Sequence, residues 1–144
     1  MSRLIIILQY PAKLRYQEWW YKEFPDKYWE FFDEVHVLGA NAKSAISDTG
    51  LFSPIHHSIY LENEQIKQYM EMKINDDDIL LLCDLSFPGL FANVLFHKRP
   101  KKCFAICHAT SKNRYDYFAK DRSEKWKIET ATSKLFDKIF VATE

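Results

Sequence analysis

Two strand ends hold the residues of this sequence best suited to chemistry. Asp78-Ile-Leu-Leu-Leu-Cys-Asp84 and Cys103-Phe-Ala-Ile-Cys-His-Ala109 each run apolar without a break, and each then meets a polar residue, Asp84 or His108. Apolar runs that do not alternate suit strands buried on both faces, as in a parallel sheet covered by helices. In such a sheet the ligand crevice lies beyond the carboxyl ends of the strands. Asp84 and His108 then share one edge if their strands are neighbours. An imidazole there can act as a base, position a hydroxyl or stabilise a charged leaving group. The plainer reading of either residue is a hydrogen-bonded strand end; their common edge is what lifts both above it.

The same stretches place Cys83 and Cys107 beside Asp84 and His108. Thiolate and imidazole are zinc ligands, but a cysteine and its successor on a strand face opposite ways. The four groups therefore do not converge easily, and no metal is expected. His56 and His57 are adjacent and fail the same test in an extended segment. The triplet Asp76–Asp78 reads as an exposed helix-to-strand turn, at the edge opposite the crevice. The basic run His97–Lys102 is such a turn too, and reads as solvated surface. GxGxxG, GxxxxGK[ST] and GxSxG are all absent, which moves dinucleotide, P-loop and serine-hydrolase chemistry down the list.

These residues need a scaffold. Arg3–Leu8 reads as a first buried strand, stopped at Pro11, which has no N–H for a ladder. Tyr16–Glu34 is crowded with aromatics, from Trp19 to Phe32, and reads as helix on both sides of a break near Pro25. Val35–Leu38 is a short second strand and Lys43–Ser58 a loop. Ile59–Leu61 reads as a third short strand. Glu62–Lys73 is a helix, with Ile66, Tyr69 and Met70 at helical spacing. After Asp84, Pro88 opens a further helix whose buried stripe is Leu90, Phe91, Val94 and Leu95. Beyond Cys103–Cys107, the loop from His108 to Phe118 concentrates side-chain donors and acceptors. Asp121 and Glu124 have capping-box spacing, and the next helix carries Ile128, Ala131 and Leu135 on one face. Lys138–Ala142 is a last buried strand. The expected fold is α/β: a Rossmann-like three-layer domain, with a mainly parallel sheet of about six strands and strand one between those at Val35 and Ile79.

At 144 residues the chain has the length of one domain, 1–144. Twenty basic and twenty acidic residues cancel, so the basic surplus that marks a nucleic-acid or anionic-membrane partner is missing. No apolar run reaches membrane-spanning length. An odd count of three cysteines without CxxC favours reduced thiols, and a cytoplasmic location is expected.

The segments Asp84-Leu-Ser-Phe-Pro-Gly-Leu90, Cys107-His-Ala-Thr-Ser111 and Leu135-Phe-Asp-Lys-Ile-Phe-Val-Ala-Thr-Glu144 together resemble the N-terminal domain of GT-B-fold glycosyltransferases, most of all the retaining, nucleotide-sugar-dependent group. The resemblance spans most of the chain and is strongest from Asp78 onward. It implies a transferase of hexosyltransferase type, built from two Rossmann-like domains with the cleft between them. This chain would be the acceptor-side half, truncated from that enzyme and inactive alone. The nucleotide-sugar donor would be held chiefly by a C-terminal domain missing from the sequence, and no other cofactor is implied. His108 matches the family's cleft histidine and is the catalytic candidate. Asp84, Ser86, Pro88 and Gly89 match the strand-end turn lining the cleft, and Thr110, Ser111 and Asn113 follow in the loop after His108; these seven are the substrate-binding candidates. The glycine-rich turn of many relatives after strand one is not present. An exposed domain-docking patch would favour self-association. The alternatives are a stand-alone Rossmann-type ligand-binding module, flavodoxin-like or response-regulator-like, and an interaction domain that docks a partner through Trp19–Phe32.

Overall fold

A computed structural model describes residues 2–8, 30–39, 56–85, 98–115 and 122–141. Among them are five strands: β1 (Arg3–Ile7), β2 (Glu34–Leu38), β3 (Ile79–Leu82), β4 (Lys102–Cys107) and β5 (Lys138–Val141). Two helices accompany them, α1 (His56–Glu71) between β2 and β3, and α2 (Arg122–Ser133) between β4 and β5. The strands form one open sheet in the order β2-β1-β3-β4-β5, and every pair is parallel. Strand one lies between β2 and β3, as expected.

Alternation along β1 divides its isoleucines between two cores. Ile5 and Ile7 join Leu38, Leu80, Leu82, Cys103 and Ala105 on one face; Leu4, Ile6 and Leu8 join Leu81 and Cys83 on the other. Ile5 and Ile6 are both fully buried, each worth about 1.5–3 kcal/mol of burial. Tyr69 of α1 and Phe136, just past α2, pack on the first face. The connections β2→β3 and β4→β5 cross the sheet in the same direction, so right-handed crossovers send both helices to that face.

The sequence expectation fails at five places, the fifth being Asp78, described below. Ile59–Leu61 is not a strand: it lies within α1, so the described sheet has five strands and not six. Leu61, Gln65 and Tyr69, all buried, recur at four-residue spacing, and that period outweighs the local β-preference of Ile59 and Tyr60. The same helix takes in His56, His57 and Ser58 from the expected loop and leaves Met70 exposed. The aromatic helix does not extend to Glu34: Glu30 and Phe31 form a turn, Asp33 a bend, and Glu34 already pairs with Arg3. In α2 the buried residues are Glu129 and Thr132, continued by Phe136, while Ile128 is 49% exposed. The buried face is rotated by one residue from the apolar one, because Glu129 is held inside by a partner described below. Finally, β5 is an edge strand with Phe140 and Val141 largely exposed, and not a buried one. Residues 1, 9–29, 40–55, 86–97, 116–121 and 142–144 lie outside the described residues, and with them the Pro25 break, the helix begun at Pro88, the capping position Asp121 and the strand end at Ala142.

A bidentate ion pair closes the amino edge. Arg3 Nε and Nη2 donate to the two carboxylate oxygens of Asp78, at 2.9 and 2.5 Å. Asp78 is fully buried, so the acidic turn is exposed only at Asp76 and Asp77. Burial alone would raise its pKa, but hydrogen bonds from Arg3 and the Asn75 amide hold the carboxyl below the usual range.

Candidate functional site

The chain runs from β1 outward to β2, then back across β1 to β3, β4 and β5. The reversal falls between β1 and β3. A crevice opens where strand order reverses, at the carboxyl ends of the strands. Leu8 closes β1 there, and Cys83 and Asp84 close β3. His108 follows β4, the next strand along.

The backbone ties these ends together. The Cys83 amide donates to the Ile7 carbonyl at 3.0 Å and the Leu85 amide to the Ile106 carbonyl at 2.8 Å, so the sheet ladder continues one step past β3 on either side. His108 is exposed, and its Nε2 lies 3.1 Å from the Cys83 carbonyl oxygen. Asp84 is buried. The imidazole is thus held at the end of the neighbouring strand, one residue from Asp84, with its ring open to solvent. Cys83 belongs to one face of the sheet and Cys107 to the other, so the two thiols do not share a site. Burial pushes the Cys83 thiol up, with the Asp84 charge adding to the effect. Among the described residues no three His, Cys, Asp or Glu side chains are grouped to hold a metal ion. No helix there is long and apolar enough to cross a membrane.

The loop after His108 is fastened from below. Ser111 is fully buried. Its amide donates to both oxygens of Glu129 at 3.1 Å, and its hydroxyl donates to Oε2 at 2.8 Å. Ser111 is therefore an anchor, with its hydroxyl turned into the protein. The Asn113 amide donates to the Thr110 carbonyl at 2.9 Å, and Asn113 Oδ1 accepts from the Tyr115 amide at 3.1 Å. These bonds form a tight turn that presents Lys112, Asn113, Arg114 and Tyr115 outward, all exposed. Thr110 is half-buried at its start.

Across the sheet, Gln65 of α1 is buried and joins the ends of two strands. Its Nε2 donates to the Leu8 carbonyl at 2.7 Å and to the Leu38 carbonyl at 3.2 Å. Gln68 Oε1 accepts from the Gly39 amide at 2.8 Å. Gly39 has φ +78°, and a Cβ there would meet Leu61 Cδ1 at 2.5 Å and Gln65 Cγ at 2.8 Å. Only glycine fits this turn without strain.

Of the sequence candidates, Asp84, His108, Thr110, Ser111 and Asn113 come together at the carboxyl edge of β3 and β4. Ser86, Pro88 and Gly89 lie outside the described residues. Sequence reading missed Gln65 and Glu129. Gln65 had a signal, a polar residue in line with Leu61 and Tyr69 at four-residue spacing, which in a folded protein requires a specific partner; Glu129 had none, since it lies off the Ile128–Ala131–Leu135 face. Comparisons with protein-family models, with curated proteins and with solved structures return no match.

Proposed function

We propose that this chain is the acceptor-side domain of a GT-B-type glycosyltransferase that moves a sugar from a nucleotide-sugar donor to an acceptor held at the carboxyl edge of β3 and β4. One observation carries the reading. Asp84 and His108 close neighbouring parallel strands beside the point where strand order reverses, where open α/β sheets bind their ligands. His108 is exposed and oriented by the Cys83 carbonyl. That suits a group which holds the transferred sugar or handles a proton during transfer. Thr110 and Asn113 border the same edge, and Ser111 fixes the loop that carries them. In this reading the donor nucleotide is held chiefly by a second Rossmann-like domain across the cleft.

The test is transfer of labelled sugar from a panel of nucleotide-sugar donors by the enzyme that joins this chain to its donor-binding domain. Transfer that depends on His108 supports the reading. Full transfer by the His108→Ala enzyme removes His108 from the site, and absence of transfer from every donor overturns the glycosyltransferase reading.

A further inference from the structure

We infer that the loop Ser111–Tyr115 is a binding site for an anionic group, and that the acceptor therefore carries a phosphate or a carboxylate next to a sugar or other ring. This deepens the glycosyltransferase reading, on which the word acceptor rests.

Three observations converge. First, the loop is prearranged: the buried carboxylate of Glu129 holds both the amide and the hydroxyl of Ser111. Second, two cations leave this anchored turn, each beside an aromatic ring. Lys112 Nζ lies 4.1 Å from the centre of the Trp126 ring, and the Arg114 guanidinium 4.5 Å from that of Tyr115. Arg114 Nη2 also donates to the Tyr115 hydroxyl. Ring faces attract cations and restrict where the charge sits. Third, among the described residues no carboxylate is ion-paired to Lys112 or Arg114. Of the nearby acids on α2, Glu124 pairs with Lys127, and Glu129 is committed to Ser111.

The chemistry follows from these groups. Lys112 offers a compact ammonium, Arg114 a planar fork that matches two oxygens of a phosphate or carboxylate. Exposed Tyr115 adds a ring face, and Asn113 stands between the two cations. The loop follows His108 directly at the carboxyl end of β4, so an anion held here is bound by the segment that also carries His108.

Amide-resolved NMR titration of the chain with glucose 6-phosphate, glucuronate and glucose tests this. At least one anionic sugar is expected to shift the Lys112–Tyr115 amides and the Trp126 indole N–H, and to bind about tenfold or more tighter than glucose. Which of the two does so identifies phosphate or carboxylate. The double variant Lys112→Gln/Arg114→Gln should abolish that advantage while the Ser111 amide signal stays in place, showing the anchor intact. Equal binding of all three sugars, shifts confined to other residues, or an unaffected double variant would overturn the inference. The His108 transfer experiment decides the catalytic reading separately. Anion binding with no transfer sinks that reading alone, and transfer without anion preference sinks only this one.

Discussion

The carboxylate of Glu129 receives three hydrogen bonds from Ser111, two from its amide and one from its hydroxyl, at 2.8–3.1 Å. A charged side chain of α2 thereby organises the loop that leaves β4. Glu129→Ala leaves the buried Ser111 amide without an acceptor, and should cost about 1–3 kcal/mol by the usual penalty for an unsatisfied buried group. Hydrogen exchange at the Ser111 amide should accelerate in the same variant. An unchanged melting temperature with unchanged exchange would show that the loop is held by something else.

The Arg3–Asp78 pair predicts the acid limb of the stability curve. The folded-state pKa of Asp78 is lowered, so its contribution is fully present above the unfolded carboxylate value of about 3.9. It is lost as pH falls from there through the folded value. Asp78→Asn should flatten that limb, and at neutral pH it should cost about 3 kcal/mol, because it strands the partly buried Arg3 charge. Urea denaturation at pH 7 and at pH 3 checks both. A variant as stable as wild type at pH 7 would contradict the role of the pair.

Gly39 is the point at which the turn after β2 meets α1. Its φ of +78° and the close Leu61 and Gln65 atoms leave no room for a methyl group. Gly39→Ala should destabilise the fold by about 2–3 kcal/mol through strain and overpacking. It should also weaken the Gln65 bridge to the Leu8 and Leu38 carbonyls. Thermal melting of the variant measures the effect, and a shift within error would count against it.

Much of the scaffold was legible in the residues. The apolar runs of β1, β3 and β4 are long and unbroken, and burial on both faces leaves that signature whatever the neighbours are. Strand ends at Asp84 and His108 were legible for the same reason, since polarity returns where the sheet stops. The rotated face of α2 was not. Its burial is dictated by Ser111, 18 residues away from Glu129, and no periodicity rule ranks a glutamate above Ile128 for an inward position. Residues 59–61 misled because an isoleucine and a tyrosine favour strands locally, while the Leu61–Gln65–Tyr69 period that governs α1 includes a polar member. Asp78 was read with its exposed neighbours, because its partner Arg3 lies at the far end of the sequence.

The thiols should differ in reactivity. Cys83 and Cys103 are fully buried, and burial pushes both thiols up; Cys107 is only half-buried. Alkylation of the native chain at pH 8 should therefore modify Cys107 first, with the other two following only on unfolding. Peptide mapping after limited alkylation checks the order. Early modification of Cys83 would show that the β1–β3 end opens to solvent.

His108 and Cys107 are consecutive yet should fail in opposite ways. Cys107 packs at the margin of the core on the α1 face, so Cys107→Ala opens a small gap and should cost about 1 kcal/mol. Transfer by the enzyme carrying that change should remain near wild type, since its sulfur packs against the core and donates to the Ala109 carbonyl at 3.6 Å. His108 is exposed and makes a 3.1 Å contact to the Cys83 carbonyl. Its removal should cost about 1 kcal/mol of stability, the scale of a hydrogen bond at an exposed position. Under the proposed function, however, His108→Ala should slow sugar transfer by about a hundredfold or more, as for a lost general acid–base or positioning group. Melting temperature and transfer rate measured on both variants separate the two roles. If His108→Ala lowers the melting temperature sharply and leaves transfer intact, the histidine is a structural clamp between β3 and β4, and the catalytic assignment is wrong.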